Sequence, residues 1–359
     1  MREGGNERYF ESVIRRLARA AAPGDDYYVF SYRGAAASRI PADSGGRVTH
    51  VPLRRRAVMW QRAVELPWHA WRLGLDVLHV PFNFLPIGRA RKVVTIHDLS
   101  FLHFPETHGA AERLRLRLLT GTAARRADHV LTDSECVKND LAERYGVPAS
   151  RITVTPLAVE RDVFRPPGEE ERRELRQRAQ LACEYLLHVG TLHPRKNVGV
   201  LIEAMARLRA RGRRDHHLVL VGRAERGAGE VFRLVRARGL ETVVHFLEVR
   251  DAATLAALYG AATALVVPSL YEGFGLPALE AMSCACPVVS SWGGALREVC
   301  GDAALLFDPR DPEALAAHLQ RVVDDAALRA DLVRRGLTNC DRFSWERTAA
   351  LVAAVYHAA

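Results

Sequence analysis

The sequence predicts an α/β protein with parallel, doubly wound sheets in two Rossmann-like domains and a cleft between them. Three observations carry that prediction. From residue 185 onward, short apolar runs alternate with stretches of helical apolar period and brief loops, the pattern of parallel strands that return through helices. The first 165 residues show the same alternation less regularly. Between them lies RPPGEEERRELRQRAQ (165–180), rich in proline, glycine and charge and so suited to a hinge.

In residues 1–165, the first domain, helices are expected over 6–22, 57–73, 110–126 and 135–144, where apolar positions recur at helical spacing. Short runs at 27–31, 76–80, 92–96 and 129–132 predict strands. In residues 166–342, the second domain, YLLHV (185–189), HLVLV (217–221), VVHFL (243–247), ALVVP (264–268) and PVVS (287–290) read as strands. VGVLIEAMARLRA (198–210), 230–238 and 252–261 read as the helices between them. FSWERTAALVAAVYHAA (343–359) forms a last amphipathic helix.

With 48% hydrophobic and 26% charged residues, the 359-residue chain has the composition of a soluble globular protein. It contains no apolar run of about 18 residues, and MREGGNERYF lacks the apolar core of a signal peptide, so a cytoplasmic protein is expected. The six cysteines are scattered in neither a zinc pattern nor a disulfide framework. His188, His193, His216 and His217 lack carboxylate or cysteine company at ligand spacing, so no metal site is expected. Residues 1–165 hold 26 Lys+Arg against 18 Asp+Glu, and the remainder 25 against 24, so the positive charge sits in the first half. No nucleic-acid reading motif accompanies that charge, which excludes a nucleic-acid partner. GFGLPA lacks the third glycine of a dinucleotide fingerprint, which disfavours a dehydrogenase.

In open α/β sheets a ligand sits beyond the carboxyl ends of the strands. The loop after strand 264–268 carries Glu272, Gly273, Phe274, Gly275 and Leu276. Pro277 suits the first turn of a helix, where its missing N–H is not needed, and Glu280 then lies about one turn in. The amides of residues 273–276 suit phosphate oxygens, and two carboxylates flanking an anion site suit the paired hydroxyls of a nucleotide sugar. Spacing alone leaves open a plainer arrangement, a surface loop acid followed by an ordinary first-turn helix acid. A second loop decides. Residues 190–197 also follow a strand, and Arg195 and Lys196 stand there just before a helix, where cations oppose the dipole. They make sense if a diphosphate neutralises them.

EGFGLPALEAMSCACPVV, VGTLHPRKN, VVTIHDLSFLHFPE and SWGGALREVCGDAALLFDP together resemble the retaining glycosyltransferases of family 4, and the resemblance runs nearly end to end. It implies the GT-B fold, a nucleotide-sugar donor held mainly by the C-terminal domain, and acceptor contacts mainly in the N-terminal one. The final helix would cross back to the first domain. By the same resemblance Glu280 binds the donor ribose, Glu272 lies beside the transferred sugar, and Arg195 and Lys196 stabilise the departing diphosphate. His97 matches an active-site histidine on the acceptor side; without the resemblance it reads as an ordinary loop histidine. Gly4 and Gly5 match a glycine turn near the donor phosphates, and Gly190 and Val249 fall among the donor-binding positions. No D-x-D triplet occurs in the chain, so no metal or other cofactor is expected, the cations taking the metal's role. The TLHPRKN form resembles mannosyl- and rhamnosyl-type relatives, which favours GDP-mannose as donor. The acceptor would be a hydroxyl of a glycan, a lipid-linked molecule or a small molecule. The rival reading is a nucleotide-sugar-binding protein of the same fold that hydrolyses, isomerises or only binds.

The chain also departs from that family. The buried strand that usually precedes the glycine turn is missing, because Met1 lies three residues before Gly4. Four lost apolar residues are worth about 6–12 kcal/mol, comparable with a whole domain's stability, so a start upstream of Met1 is expected. Glu248 stands where the family commonly has glycine near the nucleobase, and Ala158 and Glu160 replace the usual glycine and aspartate near the interdomain turn. Residues 53–75 combine Arg54, Arg55 and Arg56 with Trp60, Trp68 and Trp71. That composition suits either peripheral contact with an anionic membrane or a helix that packs its tryptophans in the core.

Overall fold

A computed structural model describes residues 5–20, 22–32, 48–53, 60–81, 88–105, 109–168, 170–171, 184–225 and 227–358. The fold is α/β, and every pairing among the described strands is parallel. The chain divides into two compact units, one of Met1–Leu99, Ala110–Leu157 and Ser344–Ala359, the other of Ser100–Gly109 and Ala158–Phe343.

In the first unit β1 (Tyr27–Tyr32) pairs with β2 (Val48–Leu53). A four-stranded sheet follows in the order β3 (Val77–Pro81), β4 (Arg91–Thr95), β5 (His129–Thr132), β6 (Ile152–Val154). The helix Gly5–Ala20 buries Tyr9, Val13 and Leu17, one side chain per turn on one face. The helix Glu135–Tyr145 starts where the Ser134 hydroxyl accepts from the Val137 N–H at 3.3 Å and ends at Gly146, in the left-handed region at φ 65°. The last helix, Trp345–His357, is fastened to this unit. Tyr356 Oη lies 2.6 Å from His79 Nδ1, the Thr348 hydroxyl donates to the Pro156 carbonyl, and Arg16 donates to Glu346 at 2.8 Å. Burial, and then nearby His97, push the His79 pKa down to about 3, so this buried ring is neutral.

The second unit is a six-stranded sheet in the order β12-β11-β10-β7-β8-β9. Its strands are β7 (Tyr185–Val189), β8 (His217–Val221), β9 (Val244–Leu247), β10 (Ala264–Val267), β11 (Val288–Ser291) and β12 (Ala304–Phe307). From β7 the chain first builds outward through β8 and β9, then returns to the other side of β7 for β10, β11 and β12. The order therefore reverses between β7 and β10, and the loops after these two strands emerge side by side at a topological switch point. Ala264 pairs with Leu186 and Leu265 with Leu187, so both strands run out at the same level. Every residue of β10 and β11 is buried, as parallel strands covered on both faces require.

Residues 48–72 depart from the sequence expectations. The helix expected over 57–73 is five π-helical residues, Gln61–Glu65, leading into an α-helix, Leu66–Arg72, with 54–59 outside the described residues. Pro67 explains this: it has no N–H to close the α-type bond onto residue 63, and the Leu66 N–H bonds to Gln61 O instead. The tryptophans of this stretch do not pack in the core, since Trp71 is 77% exposed and Trp60 and Trp68 nearly half exposed. β2 was not expected, because Pro52 interrupts its apolar pattern; as half of a two-stranded sheet it tolerates the missing donor. The expected hinge at 165–180 lies largely outside the described residues, as do Gly4 and Arg54–Arg56.

The end of β8 lies so close to the end of β7 that a Cβ on Gly222 would stand 1.9 Å from the Gly190 carbonyl oxygen. Gly222→Ala is expected to lower the unfolding free energy by about 1–3 kcal/mol, read from urea denaturation. An unshifted midpoint would mean that the two loop starts are not packed this way.

Candidate active site

At the switch point each loop is held by the other. His193, Pro194, Arg195 and Lys196 form a tight turn after β7, with His193 Nδ1 accepting from the Arg195 N–H at 3.2 Å. Asn197, in the left-handed region at φ 54°, donates from its side-chain amide to Pro268 O at 3.0 Å and to Pro309 O at 2.6 Å. The Leu270 N–H donates to Arg195 O at 2.9 Å. These bonds fasten the cation-bearing loop to the loop that carries Glu272.

Glu272 lies between both cations. Lys196 Nζ donates to Oε1 at 2.6 Å and Arg195 Nη1 to Oε2 at 3.1 Å, while the Ser269 hydroxyl donates to Oε1 at 2.6 Å. Arg195 Nη1 also donates to the Tyr271 carbonyl at 2.6 Å. All three charged side chains are less than one-fifth exposed. Burial pushes the Glu272 pKa up, but Lys196 and Arg195 outweigh it and hold the carboxyl at about 2. The two cations were expected to await a diphosphate; they share a carboxylate of the same unit, and the cluster keeps one formal positive charge in excess.

Glu280 sits in the helix Leu276–Ser283, buried to 4% exposure, where the Tyr259 hydroxyl donates to Oε2 at 2.9 Å. Gly275 caps that helix at φ 105°, Leu276 begins it, and Gly273 belongs to the preceding turn. The Phe274 ring is buried edge-on against Phe343, so only its backbone can meet a ligand. Gly190 follows β7 directly, and Val249 follows β9, half-buried.

In the first unit Gly5 opens the first helix. His97 follows β4, and Asp133 follows the neighbouring β5. His97 Nδ1 lies 2.8 and 3.0 Å from the two Asp133 oxygens, and its ring meets Tyr9 edge-on at 5.0 Å. Burial raises the Asp133 pKa, against the pull of His97. A carboxylate on Nδ1 fixes the tautomer and leaves Nε2 as the acceptor.

The sequence singles out the two loops and, through the resemblance alone, His97; it does not single out Ser269, Tyr259, Asn197 or Asp133. Asp133 was within reach, since it stands after a predicted strand just as His97 does. Tyr259 was not, because the helix Ala252–Ala261 reads as apolar on every side.

Residues 3–163 match the family model described as Glycosyltransferase Family 4, and residues 171–338 the model described as Glycosyl transferases group 1. The chain is 36% identical to O-antigen chain mannosyltransferase B of Escherichia coli over 75% of its own length and 71% of that protein. It is 35% identical to the MMP alpha-(1->4)-mannosyltransferase of Mycolicibacterium hassiacum over 66% of its length, matching only 55% of that relative. Among solved structures it resembles Anabaena HepE in complex with UDP-glucose, with a TM-score of 0.78 at 21% identity, covering 100% of this chain and 97% of the other.

The Glu272 pKa, lowered from 4.5 to about 2, has a consequence for stability. A depressed carboxyl stabilises the fold fully above its unfolded pKa and loses that contribution as pH falls through the folded value. The stability difference between wild type and Glu272→Gln is therefore expected to be constant above about pH 5 and to shrink steadily towards pH 2. Urea midpoints across that range test it; a difference independent of pH would mean that Glu272 is not held ionised by its two partners.

Proposed function

This chain belongs to the glycosyl transferases of group 1, family 4, and is a transferase with the GT-B fold; from that premise we propose that it moves a hexose from a nucleotide-diphosphate sugar to a hydroxyl group, with retention of configuration and without a metal. The observation that carries this reading is the Arg195–Glu272–Lys196 cluster, whose excess positive charge suits a diphosphate. As the bond from sugar to diphosphate breaks, negative charge grows on the leaving oxygens, and the two cations and the amides of residues 273–276 absorb it. Glu272 is not the nucleophile in this scheme: both its oxygens are engaged, and a pKa of about 2 makes it a weak base. The acceptor hydroxyl attacks from the face the diphosphate leaves, and a diphosphate oxygen takes its proton. Glu280 binds the ribose hydroxyls while Tyr259 steadies it. Within the second unit Gly190 and Val249 add donor contacts; within the first, Gly5 and His97, the latter held by Asp133, are the binding residues.

GDP-mannose is the donor we favour, in keeping with the mannosyltransferases among the relatives. The acceptor is a glycan, lipid-linked or small-molecule hydroxyl. No described helix is long and apolar enough to cross a membrane. The exposed Trp60, Trp68 and Trp71, with Arg72 stacked 5.2 Å from the Trp68 ring, support peripheral contact of residues 53–75 with an anionic surface at the cytoplasmic face of a membrane.

Lys196→Ala is expected to cut turnover about a hundredfold or more while the protein stays folded. Glu280→Ala should mainly weaken binding of GDP and GDP-mannose, measured by calorimetry without added metal. Near-normal turnover of the Lys196 variant would sink the metal-free scheme, and an inverted anomeric signal in the product would sink retention. Vesicles of anionic lipid should bind the protein at low salt and release it at high salt, with Trp71→Ala binding several-fold more weakly. No binding at low salt would end the membrane reading.

A further inference from the structure

We infer that His188 is a positioning residue for Lys196, its Nε2 lone pair taking one N–H of the ammonium while a bound diphosphate takes another. The inference rests on the donor-site reading above.

His188 lies in β7, 1% exposed. Its Nδ1 is 3.0 Å from the Val266 carbonyl oxygen. A carbonyl only accepts, so Nδ1 carries the proton and Nε2 is a bare lone pair. Among the described residues this buried Nε2 has no hydrogen-bond partner, and such an atom is costly to leave unmatched. Its surroundings supply one donor of the right kind. A Cβ built on Gly190 would stand 3.4 Å from His188 Nε2 and 3.5 Å from both Cδ and Cε of Lys196. The ring nitrogen and the carbon that bears the ammonium therefore border the same small space, the one that a side chain on Gly190 would fill.

An ammonium has three donors to place. Glu272 Oε1 takes one at 2.6 Å, a diphosphate oxygen is a second acceptor, and His188 Nε2 is the third. One carboxylate leaves a lysine free to swing about its own bond, because the ammonium is a point charge on a flexible stem. Three acceptors around it fix the direction in which its remaining charge points. The ring is suited to this because it stays neutral: burial, and then Lys196, push its pKa down to about 4 against the opposing pull of the Val266 carbonyl and Glu272. At neutral pH the acceptor is therefore present throughout.

Two variants separate the lone pair from the packing. His188→Asn keeps a donor at the Nδ1 position and deletes the acceptor at Nε2, whereas His188→Gln carries its amide to the Nε2 position. Calorimetric titration with GDP and with UDP, at a temperature where both variants are fully folded, is expected to give His188→Asn an affinity about tenfold below wild type. His188→Gln should return to within about threefold. Nitrogen-15 NMR of the histidine rings needs no substitution: the His188 Nε2 resonance should move towards the hydrogen-bonded position when the nucleotide binds, and should not move in Lys196→Met. Unchanged affinity in His188→Asn, or an Nε2 resonance that ignores a bound nucleotide, overturns the role of His188 and leaves the donor site standing. If neither GDP nor UDP binds wild type, the donor-site reading fails and takes this inference with it.

Discussion

One carboxylate held between two cations, Glu272 between Arg195 and Lys196, is the constraint on which the second unit turns. At an effective dielectric of about 20, a pair at 2.6 Å attracts by about 6 kcal/mol. Removing such groups from water costs several kcal/mol per ion, so the cluster is close to balanced rather than a large source of stability. Balance fails when one member is lost, because a buried charge without its partner costs about 3–5 kcal/mol. The ensemble is therefore fixed as a unit, and what it leaves over is one positive charge at a known place.

The backbone is arranged to keep that unit fixed. Arg195 and Glu272 are far apart in sequence, and only the reversal of strand order between β7 and β10 makes them neighbours. Asn197 then ties the first loop to Pro268 and Pro309. On its other side Glu272 pairs with Gly294, where any Cβ would meet the Glu272 carbonyl oxygen at 2.3 Å. Backbone on both flanks holds the Glu272 main chain in place, and three donors hold its side chain. Its carboxylate is shared between the two cations, whose pull on its pKa outweighs burial.

How much of this was legible in the sequence depends on what each signal reports. Strands 185–189 and 217–221 were found to the residue, because parallel strands buried on both faces are unbroken apolar runs. The helix through Pro67 and the strand through Pro52 were misread or missed, since proline removes a donor whose importance depends on neighbours the local pattern does not show. Periodicity in 57–73 identified a face bearing Trp60, Trp68 and Trp71 without telling whether anything covers it. The same division runs through the site. Loops 190–197 and 269–276 were located by the rule that ligands meet strand ends. That Glu272 would take both cations, or that Tyr259 would take Glu280, depends on which elements pack together, and that information is tertiary.

The buried histidines extend the argument from one cluster to the distribution of charge. His79 and His188 are buried and held neutral, with pKa values of about 3 and about 4, and the thiols of Cys286 and Cys300 are pushed up to about 12 by burial. At these four groups burial prevails and favours the uncharged form. At Glu272 burial acts in the same direction and loses, because two cations stand within 3.1 Å. A buried group that stays charged against desolvation is one whose neighbours were already fixed before any ligand arrives. Fixed charge of that kind is what stabilises a leaving group without the reorganisation that water would need. A neutral His188 and an ionised Glu272, both beside Lys196, thus show that the balance between burial and neighbouring charge is set side chain by side chain, even within one cluster.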